Sequence, residues 1–445
     1  MKSFPTTSRF IGLLCAMTVS STVVAAQELA LNQISPASYS VDTGSLDDDV
    51  ISQSLARLER RLQIYDRDYE AWLLKGLILF KSGRTDDALQ ELEQLTQKAP
   101  KFHLAHLVKA DILQSRYHVV DTLGATPALA QVTKKQQIQI KRLRDEASAR
   151  LRSYLATMDH NLIPAQMMLL GDSVKTAVLV DKDNHRLYIY ENPGNGAAPR
   201  LLRDFYASTG KLIGDKRVRD DLKTPEGVYF VESYMSDASL PDKYGVGAFP
   251  LNYPNELDTH LGQTGYGIWL HGTDKGYFSR PPLDTEGCVA LTNIDLDEVK
   301  PYIKPGLTPV VIAQKIEWLD TMQWQQRKRQ LLGKLEQWRQ DWESLDADRY
   351  LSHYSDDFWS KRFNKQALIS YKRAVFQGKS YQKIRLQDIS LFTYPTSKLE
   401  DRPMVVVNFT QDYESNNFRR HGARKRVYLQ HAGSEGWKLV YEGGQ

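Results

Sequence analysis

The chain has 445 residues, of which 41% are hydrophobic and 25% are charged, and its formal net charge at pH 7 is +4. This composition excludes a disordered or fibrous protein, and the length is sufficient for two or three domains with their own cores. The near balance of charge gives no reason to expect a nucleic-acid partner.

The first 26 residues have the pattern of a secretory signal peptide. They contain Lys2 and Arg9 but no acidic residue, an apolar segment over 10–24, and small residues that end at Ala26. The apolar segment is too short and too interrupted for a membrane anchor, and no later stretch approaches the roughly 20 apolar residues of a span. We therefore expect cleavage after Ala26, a polar leader over 27–45, and a periplasmic protein with no membrane span after cleavage.

Residues 46–160 are predicted to form a helical domain. Trp72, Gly76, Ala88 and Pro100 occur at the spacings of a tetratricopeptide repeat, in which small residues let two helices pack closely. We interpret this region as one good repeat with degenerate neighbours, and such a domain offers a surface for a protein partner or for self-association.

A second long helix is predicted over residues 128–155. It is rich in glutamine, lysine and arginine and has only a thin apolar stripe. This pattern is typical of a basic surface helix, and the alternative is a site for an anionic partner.

Short β-rich segments separated by turns follow from residue 174, and they predict a mixed-β domain over 172–314. A helix over 317–345 carries tryptophans at helix-face spacing, which indicates a core face rather than a ligand cage. Another helix and four strands then predict a C-terminal α+β domain over 325–445, cone-shaped with a concave face. The fold class is therefore multidomain α+β.

A basic turn joins two of the C-terminal strands, with the sequence Arg-Arg-His-Gly-Ala-Arg-Lys-Arg at 419–426. Its simplest interpretation is a solvated hairpin. The sharper hypothesis is that this turn or the adjacent concave face captures an acidic polymer.

The residues that carry chemistry lie in the mixed-β domain. Cys288 is the sole cysteine after the expected cleavage, and His271 ends the strand-like segment before it. A cysteine nucleophile needs a base or a positive field, because a thiol with a pKa of about 8.5 is mostly protonated at neutral pH. Taken singly, each residue is more typical of a structural role. As a pair they predict a nucleophile and its base, with the backbone at Gly287 and Cys288 as a candidate oxyanion hole.

Four motifs in order resemble the catalytic domain of YkuD-type L,D-transpeptidases. They are Ala-Ser-Thr-Gly at 207–210, Lys-Thr-Pro-Glu-Gly-Val-Tyr at 223–229, Ile-Trp-Leu-His-Gly at 268–272, and Thr-Glu-Gly-Cys-Val-Ala-Leu at 285–291. Asn-Tyr-Pro-Asn at 252–255 and Ser-Arg-Pro-Pro at 279–282 look more like the branch of the YafK-type proteins and the helical-cell-shape L,D-carboxypeptidases. Members of that branch carry a SnoaL-like C-terminal domain, to which residues 325–445 are similar.

The resemblance implies an activity on peptidoglycan tetrapeptide stems. Cys288 would attack the carbonyl before the terminal D-alanine, His271 would accept the thiol proton, and D-alanine would leave behind a thioester. Resolution by an amine gives an L,D-transpeptidase, whereas resolution by water gives an L,D-carboxypeptidase. A different class of function is a non-catalytic wall-binding scaffold, which would not need both Cys288 and His271.

The sequence departs from the family pattern on both sides of the cysteine. Glu286 stands where a histidine is common, and Ala290 stands where an arginine is common. We hypothesise that Arg280 supplies the missing cation for the stem carboxylate, since a guanidinium binds carboxylates bidentately, although a solvated loop arginine is the alternative.

The remaining substrate-binding candidates are Tyr253, Gly272 and Glu286. No cofactor is expected. The spacings among the nearby histidines, acidic residues and Cys288 fit no standard zinc pattern, so no metal site is predicted.

Overall fold

The computed structural model describes residues 47–116, 133–156, 162–395 and 398–444. All of them belong to one compact unit that spans Leu46–Gln445. The expected signal peptide (1–26) and leader (27–45) lie outside the described residues, so both stay predictions.

Within the described residues, five helices form the N-terminal part: α1 Asp48–Ile64, α2 Tyr69–Lys81, α3 Thr85–Lys98, α4 His103–Ser115 and α5 Lys134–Ala156. The predicted helical region is confirmed. A Cβ added to Gly76 of α2 would lie 2.9 Å from Leu92 of α3, so the small residue permits the close packing of these two helices. The assignment to the tetratricopeptide class stays a prediction.

Helix α5 differs from the predicted surface helix. Its C-terminal half is buried, and Arg150 and Glu146 are 1% and 0% exposed. Arg150 forms hydrogen bonds with Glu146 at 2.8 Å and with Glu70 of α2 at 3.0 Å. The prediction was wrong here because a charged residue can be buried when its charge is paired, and the composition of one helix does not reveal partners on another.

The central region consists of short strands and two short helices. Its strands and those just before it are β1 Ile163–Pro164, β2 Met167–Leu169, β3 Thr176–Asp181, β4 Arg186–Glu191, β5 Arg200–Tyr206, β6 Thr209–Gly210, β7 Gly227–Phe230, β8 Met235–Ser236, β9 Gly247–Pro250, β10 Trp269–His271, β11 Leu283–Thr285, β12 Val289–Ala290, β13 Pro309–Ala313 and β14 Trp318–Leu319. The helices are α6 Glu256–His260 and α7 Asn293–Val299.

Two sheets enclose the core of the central domain. A five-stranded sheet has the order β5-β4-β3-β13-β7, and a four-stranded sheet has the order β12-β10-β9-β8. Each sheet contains one parallel pair of strands, β3 with β13 in the first and β10 with β12 in the second. Val178 and Ile189 from the first sheet pack with Leu270 and Val289 from the second. The predicted mixed-β architecture is confirmed, and this packing fixes the strands that carry the candidate catalytic residues.

The C-terminal domain combines three helices with an extended sheet. Its elements are α8 Thr321–Glu343, α9 Ala347–Leu351, β15 Tyr354–Trp359, α10 Lys365–Gln377, β16 Gln382–Thr393, β17 Met404–Ser415, β18 Arg419–His431 and β19 Trp437–Gly444. The sheet order is β15-β19-β18-β17-β16-β2, so a strand that precedes the catalytic domain completes its edge. The sequence did not predict this edge strand.

Helix α8 carries the predicted tryptophan face. Trp324, Trp338 and Trp342 are buried in the C-terminal core, which confirms their structural role. The helix begins later than predicted because Asp320 and Gln323 form a capping box, and Trp318 lies instead in β14, which pairs with β1.

The catalytic and C-terminal domains share a hydrophobic core. Side chains alternate along β3, so Val178 faces the catalytic core while Leu179 packs with Val406 of β17 and Tyr441 of β19. The five-stranded sheet is therefore covered on both faces, and the C-terminal sheet lies against its outer face.

Candidate active site

His271 ends β10, and Cys288 immediately precedes the neighbouring strand β12. The parallel register pairs Leu270 with Val289 and His271 with Ala290, so Cys288 directly precedes the point where β12 joins β10. Side chains alternate along a strand, and Leu270 and Val289 both enter the core. His271 and Cys288 are each one residue away from these core positions, so both belong to the opposite face. Neighbouring strands lie only about 4.8 Å apart, so this register brings the two residues to one locality.

The ring of His271 has a defined orientation. Its Nδ1 lies 2.5 Å from the carbonyl oxygen of Gly272. A carbonyl only accepts, so Nδ1 carries the proton in neutral imidazole and Nε2 keeps its lone pair for a proton from elsewhere. The ring of Tyr244 packs edge-on at 5.0 Å between centroids. Nε2 is therefore the ring nitrogen of His271 that can accept a proton.

Burial keeps His271 neutral. The side chain is 3% exposed, and desolvation, with a smaller contribution from the charges of Arg280 and Lys243, lowers its pKa to about 3. The hydrogen bond to Gly272 opposes this shift only in part. At pH 7 the imidazole is therefore uncharged and able to accept a proton.

The Cys288 thiol is also neutral at pH 7. Its Sγ lies 3.4 Å from the carbonyl oxygen of Gly267. Burial raises its pKa, and the backbone of Trp269 and the charges of Arg280 and Lys243 oppose that rise, whereas Glu286 adds to it. The pair is thus a thiol and an imidazole rather than a thiolate and an imidazolium, so Cys288 could act as a nucleophile only after proton transfer.

Thr285 shapes the turn before Cys288. Its hydroxyl donates to the carbonyl oxygen of Cys288 at 2.7 Å and accepts the N–H of Gly287 at 3.1 Å. Gly287 has φ +129°, and a Cβ there would lie 2.8 Å from the carbonyl oxygen of Lys223. Only glycine fits this position without a shift of the backbone.

The turn also determines which backbone donors are available. The N–H of Gly287 is occupied by Thr285, whereas the N–H of Cys288 has no acceptor among the described residues. Of the two oxyanion-hole candidates, Cys288 therefore offers a free donor, and Gly287 contributes the backbone conformation.

Arg280 lies in the electrostatic surroundings of both candidate catalytic residues, since its charge lowers the pKa of His271 and of Cys288. Its side chain is 20% exposed and makes contacts at 3.4 Å with the carboxylate and the carbonyl oxygen of Asp284. Nε and Nη1 have no hydrogen-bond partner among the described residues. A buried donor without an acceptor is costly, and a bound carboxylate would relieve that cost.

Gly272 permits a close approach of backbone segments. A Cβ there would lie 2.3 Å from Oδ1 of Asn293, and its N–H donates to the carbonyl oxygen of Tyr244 at 3.1 Å. The same Oδ1 accepts the N–H of Thr273 at 3.1 Å. Gly272 therefore acts on the site through the backbone that orients His271.

Tyr253 and Glu286 occupy contrasting environments. Tyr253 is 5% exposed, its ring packs 5.9 Å from that of Tyr229, and its hydroxyl donates to the carbonyl oxygen of Thr264 at 3.2 Å. This places Tyr253 in the core. Glu286 is exposed and brings a negative charge near Cys288.

Lys243 and the hydroxyl of Thr285 are site features that sequence reasoning missed. Lys243 acts electrostatically on both His271 and Cys288. It belongs to an exposed segment before β9, and nothing in its local pattern indicates which strand end it approaches. The position of Thr285 within the last motif was the only available signal for its role.

The described part of the chain holds no group of three or more histidine, cysteine, aspartate and glutamate side chains that could bind a metal ion. No helix within the described ranges is long and apolar enough to cross a membrane.

Two family models match the chain. Residues 175–312 match the L,D-transpeptidase catalytic domain, YkuD, and residues 330–443 match the Cds6 C-terminal NTF2-like domain. No curated protein matches the chain.

Solved structures give the same assignment. Bd1075 of Bdellovibrio bacteriovorus is 29% identical and matches 64% of this chain and 98% of its own, with a TM-score of 0.56. The helical cell shape determining protein Pgp2 of Campylobacter jejuni is also 29% identical and matches 62% of this chain and 95% of its own, with a TM-score of 0.52. The chain therefore carries a YkuD-type L,D-transpeptidase catalytic domain, followed by a C-terminal NTF2-like domain of the SnoaL-like class.

Proposed function

We propose that this protein is an exported cysteine L,D-transpeptidase that acts on tetrapeptide stems of peptidoglycan and releases D-alanine. The observation that carries the proposal is that Cys288 directly precedes the strand paired with the one that ends at His271, with Nε2 of the histidine left to accept a proton. A wall-binding scaffold would have no use for an oriented base beside a thiol.

The first step follows from this geometry. His271 Nε2 takes the thiol proton while Sγ of Cys288 forms a bond to the carbonyl carbon before the terminal D-alanine. The negative charge on the carbonyl oxygen is stabilised by the free N–H of Cys288, a type of contact worth about 3 kcal/mol. The C–N bond then breaks, the imidazolium returns its proton to the leaving amine, and the acyl group stays on Cys288 as a thioester.

Arg280 links substrate binding to this step. Its two unpaired donors suit the terminal carboxylate of the stem. A bound carboxylate would offset the positive charge that lowers the pKa of His271, so the histidine would become a stronger base once substrate is present.

The second step depends on the nucleophile that reaches the thioester. An amine of another stem gives an L,D cross-link. Water gives an L,D-carboxypeptidase that trims tetrapeptide to tripeptide, and the partial exposure of Cys288 is the observation that favours this alternative.

The biological setting is inferred from the similar solved structures and from the predicted signal peptide. Pgp2 is described as a protein that determines helical cell shape. We infer a role in cell-wall remodelling and cell shape, in the periplasm to which the predicted signal peptide would direct the chain. Peptidoglycan stems are the proposed substrate, no nucleic-acid partner is proposed, and the helical domain offers a surface for a protein partner.

A wall-binding scaffold remains the candidate from another class. The C-terminal domain has a cavity of about 840 Å³ that is lined by basic residues such as Lys372 and Arg420 and by aromatic residues such as Trp342. This lining favours capture of an acidic ligand, which would either replace catalysis or deliver the wall to Cys288.

One experiment separates these functions. Tetrapeptide muropeptides are incubated with the wild type and with Cys288→Ala, and the products are separated by mass. Cross-linked dimers support transfer, tripeptide alone supports hydrolysis, and the absence of any Cys288-dependent product removes the enzymatic proposal in favour of the scaffold.

A further inference from the structure

The loop that carries Arg280 is anchored in the helical domain. The ring of Phe278 lies 5.8 Å from that of Tyr69 in α2 and 6.2 Å from that of Phe102, and it packs against the core of the helical domain. The loop between β10 and β11 is thus held by a hydrophobic contact outside its own domain.

Polar contacts from α5 reach the same loop. Arg142, Glu146 and Arg150 are spaced four residues apart, so they share one face of the helix. Nη2 of Arg142 donates to Oδ1 of Asp284 at 2.6 Å. The backbone N–H of Arg280 lies near the carboxylate of Glu146 and opposes the rise in its pKa that burial causes.

Arg150 is the third residue of α5 that reaches the loop, and it does so through the ring of Tyr206. Its guanidinium stacks 3.9 Å from the ring centroid of Tyr206, and the Tyr206 hydroxyl donates to the carbonyl oxygen of Arg280 at 3.0 Å. The carbonyl group of Arg280 is therefore held from α5 through Tyr206, and its backbone N–H lies near the carboxylate of Glu146 on the same helix.

Asp284 is shared between two arginines. Its Oδ1 accepts the hydrogen bond from Arg142, while its Oδ2 stays 3.4 Å from Nε of Arg280 without a hydrogen bond. If Arg142 did not occupy this carboxylate, Asp284 would be free to turn to Arg280 and satisfy the donors that are unpaired in this structure.

We propose that α5 is part of the substrate-binding apparatus, and that Arg142 is a positioning residue that holds Asp284 so that Arg280 keeps its donors for the substrate carboxylate. The proposal rests on the proposed function for the identity of that carboxylate. The helical domain lies outside both matched family models, and Bd1075 and Pgp2 each leave about a third of this chain unmatched. Arg142 therefore belongs to a part of the chain that neither family model describes, whereas Asp284 and Arg280 lie within the matched catalytic domain.

Arg142 is suited to a test because its ion pair contributes little to folding. Its side chain is 41% exposed, and surface ion pairs contribute only about 0–1 kcal/mol to stability. The variant Arg142→Gln should fold. Lys141→Gln is the matched control, because Lys141 is on the same helix, 74% exposed, and paired only with Asp145 within the described residues.

The first measurement is steady-state kinetics on tetrapeptide. We expect Arg142→Gln to raise KM about tenfold and to keep kcat within about twofold. The reason is that the substrate carboxylate would lose binding free energy equal to roughly one charge-assisted hydrogen bond. Arg142→Lys should restore most of the affinity, and Lys141→Gln should change neither constant. In an Asp284→Asn background the Arg142→Gln effect should vanish, because the effect acts through that carboxylate.

The second measurement needs no substrate. The rate of Cys288 alkylation by iodoacetamide is followed against pH in the wild type, Arg142→Gln and Lys141→Gln. Arg280 lowers the thiol pKa, so its neutralisation by Asp284 should move the inflection of Arg142→Gln to higher pH. Lys243, Glu286 and His271, which also face the thiol, are unchanged in all three proteins.

The outcomes distinguish the two proposals. A wild type that turns over tetrapeptide together with an Arg142→Gln protein whose KM and inflection are both unchanged overturns the positioning role and leaves the function standing. If the wild type gives no Cys288-dependent product, the proposed function falls, and the alkylation series alone decides: a shifted inflection supports the positioning role, and an unshifted one rejects it.

Discussion

Cys288 and His271 share surroundings that disfavour both charged forms. Burial is the largest cause of both shifts, and it raises the thiol pKa and lowers the imidazole pKa. The resting site is therefore an uncharged pair, and in the proposed mechanism the thiolate forms as His271 accepts the proton. The Nδ1 contact with Gly272 matters because it determines which ring nitrogen is available.

This charge state predicts the pH dependence of thiol reactivity. A raised pKa means that the thiolate fraction at pH 7 is smaller than that of a free cysteine, so the alkylation rate of Cys288 should still be rising above pH 9. His271 should bind a proton only near pH 3. Alkylation by iodoacetamide from pH 4 to 10, with Cys288→Ala as the blank, measures this. An inflection below pH 7 would indicate a thiolate and imidazolium pair instead.

Arg280 provides a second prediction at the residue scale. Arg280→Gln should raise KM for a tetrapeptide by roughly 10- to 100-fold, because hydrogen bonds to charged groups are worth about 1.5–3 kcal/mol. The loss should shrink with a tetrapeptide amide, which lacks the terminal carboxylate. Lys275→Gln is a control on the same loop, since Lys275 is 54% exposed. Equal kinetics for Arg280→Gln and Lys275→Gln on both substrates would reject the carboxylate role.

The turn between β11 and β12 is the element that presents Cys288, the proposed nucleophile. Its shape results from the two hydrogen bonds of the Thr285 hydroxyl and from a positive φ at Gly287. Gly287 also packs against the backbone of Lys223, which belongs to the second of the sequence motifs. The motifs at 223–229 and 285–291 are separate in sequence, and they come into contact because Gly287 has no side chain.

Gly287→Ala should abolish presentation of the thiol. The added Cβ would overlap the carbonyl oxygen of Lys223 at 2.8 Å, so the turn has to shift, and we expect turnover to fall by about 100-fold for a displacement near 1 Å. Gly262→Ala is the matched control, because Gly262 has φ +68° and open space around it. It carries the left-handed strain of about 1–2 kcal/mol without the clash.

Two measurements on both glycine variants, thermal unfolding and Cys288-dependent turnover, distinguish an effect of backbone strain on stability from an effect of a displaced turn on activity. We expect Gly262→Ala to lower Tm slightly and to keep its activity. Full activity in Gly287→Ala would mean that this turn tolerates a side chain and that its close packing is not needed for catalysis.

At the scale of the whole molecule, the catalytic sheet is covered on both faces. Leu179 on its outer face packs with Val406 and Tyr441 of the C-terminal sheet. Polar contacts add to this interface, including Arg426 to Glu256 at 2.7 Å and Lys398 to Asp258 at 2.7 Å. The two domains should therefore unfold together rather than as independent units.

Two neighbouring valines of β17 test this coupling. Val406 faces the catalytic sheet and Val407 faces the helices of its own domain. Each Val→Ala change should cost about 2 kcal/mol, on the scale of burying one aliphatic side chain. Because unfolding is shared, both should lower the hydrogen-exchange protection of β3 in the catalytic sheet. A Val407→Ala protein with weakened β17 but unchanged β3 would show that the domains open separately.

The sequence was sufficient for features that local patterns encode. The helical face of α8, the strands of the central domain and the C-terminal sheet follow from periodicity, because a buried face repeats its apolar residues at the period of its element. Cys288 and His271 were identified because four motifs occurred in order. The same resemblance singled out Arg280 as the missing cation, but it could not reveal which groups its guanidinium contacts.

Only the tertiary structure decided what covers each face and which charges meet. Periodicity reveals that a face is apolar but not its partner, so the addition of β2 to the C-terminal sheet and the core shared by the two sheets had no local signal. The contact between Arg142 and Asp284 joins residues 142 positions apart, and the buried pairing of Arg150 made a basic helix part of the interior. Pairing of charges and burial of the thiol depend on packing in three dimensions, and these set the chemistry of the Cys288 turn.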